Sequence, residues 1–236
     1  MLWEWRKEVL KYKKAERWLD SFWKPQGKVR WALAYPNSYS VGISNLGFLF
    51  VYRILNEMED TFVSRFFRWE GFPPLSFEEG RALFEFDVIT FSLSYELDLP
   101  KLVLMLREGG IPPLREEREE KHPIIGVGGA FAFLNPLPLF PIADFIVCGE
   151  AEECLKEVAS AFLSFKESGK EKLLEKLAEI EGVLVPGISE RTKRRWVKEL
   201  DLYPCGAPLY TPLNEFGGAL LVELNRGCKR GCFFVP

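Results

Sequence analysis

The chain has 236 residues, of which 47% are hydrophobic and 28% charged, and a net charge of −3. This length can bury a full core in one large domain or a domain with an appendage, and the near-balanced charge gives no general pull toward nucleic acid or an anionic membrane. No apolar run approaches the roughly 20 residues of a membrane span, the charged opening MLWEWRKEVLKYKKAERW lacks a signal-peptide core, and five cysteines without framework spacing suit a reducing cytoplasm and no structural disulfides.

The segment from about Leu2 to Leu19 has a loosely helical apolar pattern, read as a packing face, and DSFWKPQGK breaks it. VRWALAY (Val29 to Tyr35) predicts a buried strand, and PNSYSVGISNLG a loop. Asn45 is placed to cap a helix over LGFLFVYRILNEME. The β-branched and aromatic run Thr61 to Trp69 predicts a second strand, followed by a loop or short edge hairpin in GFPPLSFEEGRAL. Phe86 to Ser94 predicts a third strand. DLPKLVLMLREGG predicts a helix with Pro100 in its first turn and Gly109–Gly110 closing it.

Ile124 to Val127 predicts a fourth strand and Asp144 to Cys148 a fifth, which feeds the helix AEECLKEVASAFLSFK. A charged helix from about Lys170 to Glu179 follows, then short pieces in GVLVPG and RRWVKEL, a Pro-rich linker, and a last strand in ALLVELN. The charge run REEREEK (Arg115 to Lys121) reads as a solvated loop or edge. Strands alternating with helices imply an α/β fold: an open, doubly wound, mainly parallel sheet, flavodoxin-like or Rossmann-like.

Such sheets bind ligands beyond the carboxyl ends of their strands. Here those ends carry YPNSYSVGISNLG, SLSYELD, GVGGAFAFLNP and CGEAEE. Their glycines permit close backbone approach, which predicts a wide, mostly uncharged cleft without an Arg or Lys cluster for phosphates. GVGG is not a dinucleotide fingerprint, and no Walker lysine follows it. Glu150 and Glu152 open a helix, where carboxylates suit the positive dipole end; the alternative role is to hold a ligand's hydroxyl or amide groups. The single histidine, His122, falls at the opposite edge of the sheet and is read as non-catalytic. Its solitude excludes a multi-His zinc site.

ALAYPNSYSVGISNLGF, FDVITFSLSYELD, GVGGAFAFLNPLPL, ADFIVCGEAEE and EFGGALLVELNRGCKRGCFFV occur here in order. Together they resemble the N-terminal half of cobalamin-binding radical S-adenosylmethionine (SAM) proteins, in a subfamily whose cluster loop reads RGCxxxCxFC. The resemblance covers about Val29 to the end, and its more specific elements are Gly149 to Glu152 and Arg226 to Cys228. It implies an N-terminal helical segment (1–28), a B12-binding-like α/β domain (29–182), and a linker with the truncated start of a radical SAM barrel (183–236).

It further implies that a cobalamin would be held, without a protein histidine ligand, by four loops. These supply Ser40, Gly42, Ser44, Asn45 and Gly47; Ser92, Ser94 and Tyr95; Gly128, Gly129 and Ala130; and Gly149, Glu150 and Glu152. The D-x-H-x-x-G motif that gives a lower histidine in many cobalamin domains is missing.

In the family, three cysteines hold a [4Fe–4S] cluster whose open iron binds SAM. Cys228 and Cys232 match the first two, whereas Val235 stands at the third position. The expectation is an incomplete iron–sulfur site and no radical catalysis by this chain alone; the tail reads as a truncated, excised or frameshifted cluster loop. Three other readings stand beside it. The chain could be an interaction scaffold that has lost the corrinoid, or a subunit completed in trans by a separate radical SAM barrel; the partner expected is that barrel or, in a homodimer, a second copy of the chain. A nucleotide- or flavin-binding domain would share only the fold.

Overall fold

The computed structural model describes residues 2–19, 24, 26–165, 168–227 and 230. In chain order its principal elements are α1 (Leu2–Ala15), β1 (Arg17–Trp18), β2 (Val29–Ala34), α2 (Tyr39–Ile43), α3 (Leu46–Glu57), β3 (Thr61–Phe66), β4 (Val88–Ser92), α4 (Leu99–Glu108) and β5 (Ile124–Gly128). They continue with α5 (Ala130–Leu134), β6 (Phe145–Val147), α6 (Ala151–Phe165), α7 (Lys170–Ala178), β7 (Val183–Leu184) and β8 (Leu209–Tyr210).

The main sheet runs β3-β2-β4-β5-β6-β7. Its first five strands are parallel, and β7 closes one edge antiparallel to β6. Counted along the chain, the parallel strands stand in the order 2-1-3-4-5, the flavodoxin-like doubly wound arrangement. The strand order therefore reverses between β2 and β4. That switch point is where a crevice is expected beyond the carboxyl ends.

Side-chain alternation distributes the core. Val29, Trp31 and Leu33 of β2 pack with α3, α6 and α7 on one face, joined by Trp5 and Val9 of α1. Ala32 and Ala34 pack with α4 and the α5 region on the other. The short apolar strands are covered on both sides, which explains why they read as continuous runs instead of alternating ones.

Four differences from the sequence reading have clear physical causes. The loop after β2 contains the short helix α2, entered at Ser38, whose hydroxyl accepts from the Val41 amide at 3.4 Å. Arg17–Trp18 pairs antiparallel with Leu209–Tyr210, so the chain after α1 is tied to the C-terminal segment. ALLVELN is not a strand: Val222 makes a single antiparallel bridge with Gly206, and the segment folds back on its own linker through Glu223 N to Cys205 O, 2.9 Å.

The fourth concerns REEREEK, which is only partly solvated. The Arg118 guanidinium is buried and donates to Asp144 Oδ1 at 3.0 Å and to the Pro113 carbonyl, while Arg115 donates to the Pro186 carbonyl. Charge alone could not reveal that these two arginines satisfy carbonyl ends of neighbouring loops.

Candidate functional site

A cleft of about 390 Å³ opens at the switch point. Its floor is apolar and lies between the sheet and two helices: Leu33, Phe145 and Val147 from the strands, Phe50 and Val51 from α3, and Leu155 from α6. Thr90 is the polar group in this floor, and its hydroxyl accepts from Trp31 Nε1 at 2.7 Å. A mostly apolar cavity with few, placed polar groups is the usual form of a small-molecule site.

The rim is built by local backbone chemistry. Asn45 caps α3 by accepting from the Phe48 amide at 2.8 Å, and its amide nitrogen donates to Ser94 Oγ at 3.0 Å. One side chain thus starts a helix and links the loops after β2 and β4 across the switch point. Gly129 follows β5 with φ +99°, and a Cβ there would meet the Leu93 carbonyl oxygen at 2.5 Å. This tight approach, which only glycine permits, seats the β5–α5 turn against the β4 loop. Gly149, at φ +132°, is pressed in the same way against the backbone of Arg195. Residues 194–197 thereby become a further wall: Arg195 N donates to Cys148 O at 3.1 Å, and Glu150 N to Arg195 O at 3.0 Å.

This wall and the C-terminal segment bring more charge to the cleft than the mostly uncharged one expected from the sequence. Glu150, Glu152, Glu223, Arg194 and Arg226 all line it. The Arg226 guanidinium bonds Glu152, donates to both oxygens of Glu223 at 2.8 Å, and lies 3.4 Å from Glu150. Glu152 is only 2% exposed, so Arg226 supplies the charge a buried carboxylate requires. Glu223 and then Glu152 hold this guanidinium above its usual range, against the opposing effect of burial. Arg194 lies between two rings, 4.0 Å from Phe133 and 3.7 Å from Trp196. Cys205 lines the cleft beside Glu223, and burial pushes its thiol up to about 12.

The cleft gathers Asn45, Gly47, Ser92, Ser94, Gly128, Gly129, Ala130, Gly149, Glu150 and Glu152. Four other sequence candidates lie outside its lining. Gly42 is buried in α2, where a Cβ would strike the Phe67 ring. Ser40 pairs with Ser38, Ser44 donates to the Ser40 carbonyl and accepts from Glu215 N, and Tyr95 is exposed. His122 sits at the opposite end of the sheet, in a hollow with Arg30, Asp87 and Ile124.

Sequence reasoning passed over Arg194, in a run read as short strands or loop pieces, and Glu223, in the run read as the last strand; Cys205 fell in the Pro-rich linker. It singled out the run at Arg226 for its cysteine; the available signal for the arginine was Glu223 three residues earlier.

Residues 47–186, more than half of the chain, match the family described as radical SAM proteins, N-terminal. The chain belongs to this family. The matched part of this radical SAM N-terminal chain runs from the start of α3 to just past β7 and holds the cleft's glycine rim; Arg194, Cys205, Glu223 and Arg226 lie beyond it. The chain is also similar to an uncharacterised protein of Methanocaldococcus jannaschii, with 26% identity over 207 residues, which is 86% of this chain and 40% of that protein. It therefore spans less than half the length of this curated relative. No solved structure matches the chain.

A radical SAM family implies a [4Fe–4S] cluster and SAM, and the residues can be tested for fit. Cys228, Cys232 and the valine at position 235 lie outside the described residues. Among the described residues no group of three or more His, Cys, Asp or Glu is arranged to hold a metal. Cys148, Cys154 and Cys205 are buried, free thiols on separate elements. The described part of the chain therefore does not supply a cluster's thiolate set.

Proposed function

We propose that the chain is the corrinoid-holding part of a radical SAM protein, binding cobalamin at the switch-point cleft and performing no radical chemistry alone. The carrying observation is the cleft's form: an apolar slot between the sheet and α3/α6, opening onto a rim where Gly128, Gly129 and Gly149 expose backbone. A bulky cofactor that projects an arm into the slot and rests its body on the glycine rim suits this shape. Asn45, Ser92 and Ser94 would meet its amide groups by hydrogen bonding. With His122 at the far end of the sheet, the described residues offer cobalt no imidazole, in keeping with the missing histidine motif.

The test is direct. Purified chain is mixed with hydroxocobalamin, desalted, and its retained visible absorbance measured against protein. Near-stoichiometric retention is expected, with loss in Gly129→Ala, whose altered turn narrows the rim. A chain that passes through colourless at micromolar concentrations of both components would refute the reading.

A second reading, a docking face for a further domain or subunit such as a radical SAM barrel, draws on the exposed apolar residues of the same region. Leu97 and Leu137 stand on loops at this edge, and Phe216, Val222 and Leu224 on the C-terminal segment, the last 92% exposed. Exposed apolar side chains of this size suit an interaction site where they gather in one patch. Co-expression with a separate radical SAM barrel domain, followed by comparison of chymotryptic cleavage at Phe216 and Leu224, tests it. Protection is expected, and equal cleavage rates would count against it.

A further inference from the structure

Three arginines surround the start of α6, and they are not equivalent. Arg195 is paired with Glu153 at 3.0 Å and Glu157 at 2.7 Å. Arg226 is paired with Glu150, Glu152 and Glu223. Arg194 lines the cleft, yet among the described residues no carboxylate lies within ion-pair distance of it, and its buried Nε–H has no acceptor.

The surroundings of Arg194 hold it rather than neutralise it. Phe133 of α5 and Trp196 flank its guanidinium at 4.0 and 3.7 Å. Aromatic faces attract the cation and fix its plane, but they accept none of its in-plane hydrogen bonds. Among the described residues the two terminal nitrogens of Arg194 have no hydrogen-bond partner, so their N–H groups can donate in the plane, beside an apolar floor where a charge-assisted hydrogen bond is stronger than in water. A buried donor without an acceptor is costly and calls for a partner. Guanidinium geometry selects a planar or tetrahedral oxyanion able to take two parallel bonds.

We propose that Arg194 is the oxyanion-binding residue of the cleft, accepting a phosphate ester or carboxylate carried by the cleft's ligand. This rests on the reading that the cleft binds a cofactor, and it narrows the ligand to one bearing such a group. A corrinoid could meet this through the phosphodiester of its nucleotide arm, and a free nucleotide through its terminal phosphate.

The test uses Arg194→Gln and Arg194→Lys in the full chain, with equilibrium dialysis against hydroxocobalamin, cobinamide (which lacks the phosphodiester) and AMP. Circular dichroism and melting temperature confirm that both variants fold. Arg194→Gln is expected to weaken hydroxocobalamin at least tenfold and leave cobinamide within twofold, with Lys intermediate. Equal weakening of both corrinoids, or of neither, would overturn the assignment, because Arg194 would then be packing the wall or idle. Should the unaltered chain bind no corrinoid, the cobalamin reading fails on its own. Binding of AMP that is lost in Arg194→Gln would then sustain the oxyanion site, and absence of AMP binding would remove it too.

Discussion

Arg226 bonds Glu152, and this pair joins the two sequence elements that carry the most specific resemblance, the Gly149–Glu152 turn and the run from Arg226 to Cys228. Their separation of 74 residues hides a direct contact. The clamp holds the segment around Glu223 and Arg226 where the cleft opens.

Removing the clamp's cation should be expensive. Arg226→Gln leaves the buried Glu152 without a compensating charge, and the expected loss is roughly 2–3 kcal/mol, below the full buried-pair cost because Arg226 is partly exposed. Urea denaturation of Arg226→Gln, Glu152→Gln and the double variant measures it. The double variant is expected to be clearly more stable than the sum of the single losses predicts. Strict additivity would mean that the two residues do not interact in solution.

A second buried cation holds the opposite side of the fold. Arg65 of β3 is 1% exposed and donates to Glu16 at 2.8 and 2.9 Å and to Glu78 at 2.7 Å. Phe77 packs 4.6 Å from it, with Trp18 and Tyr52 at 5.1 Å. Arg65→Met would strand two carboxylates, with an expected loss of about 3–5 kcal/mol. Arg65→Lys should also lose most of this, since a single ammonium cannot reproduce a fork reaching both partners. Because Glu16 follows α1, trypsin should cut faster at Arg17 in either variant. A lysine variant as stable as the parent would show that the fork geometry is dispensable.

These two clusters mark the limit of what the sequence made legible. The five parallel strands and helices α3, α4, α6 and α7 follow from short apolar runs, the cap at Asn45 and the Gly109–Gly110 stop, because local propensity and burial agree there. The glycine rim was also readable, since ligands of such sheets collect at the carboxyl ends. Arg65 and the packing of Arg194 on Phe133 were not, nor was the Arg226–Glu152 pair across 74 residues, because these partners lie on other elements and such pairing leaves no local period. ALLVELN misled for the converse reason. Its apolar pattern suits a strand, but Val222 and Leu224 are exposed and the segment's backbone bonds only its own linker.

The glycines of the rim should differ sharply in tolerance. Gly129→Ala would force a side chain at φ +99° against the Leu93 carbonyl, at an expected cost of about 1–3 kcal/mol. Gly47 lies exposed in the first turn of α3, and a Cβ there meets Asn45 Oδ1 at an ordinary 3.4 Å. Gly47→Ala should be neutral or stabilise by up to about 1 kcal/mol through helix propensity. Thermal melts of both variants give the comparison. Equal effects would mean that the turn after β5 is not pinned as described.

Buried thiols give the chain an alkaline weakness. Burial raises Cys148 to about 11 and Cys154 and Cys205 to about 12, from an ordinary 9.0. Below about 9 the thiols are protonated in both folded and unfolded chains, and their contribution is fully present. As pH rises from 9 toward 12, the unfolded chain releases protons that the folded one retains, so stability falls across this window. Burial shifts Tyr39 and Tyr52 in the same direction. From Cys154 alone the expected loss by pH 11 is on the order of 2 kcal/mol. Urea midpoints measured from pH 8 to 11 should fall continuously, and Cys154→Ala should flatten the slope while the tyrosines preserve part of it. An unchanged slope in that variant would show that the Cys154 thiol titrates alike in both states, and so is not shielded between α6 and the sheet.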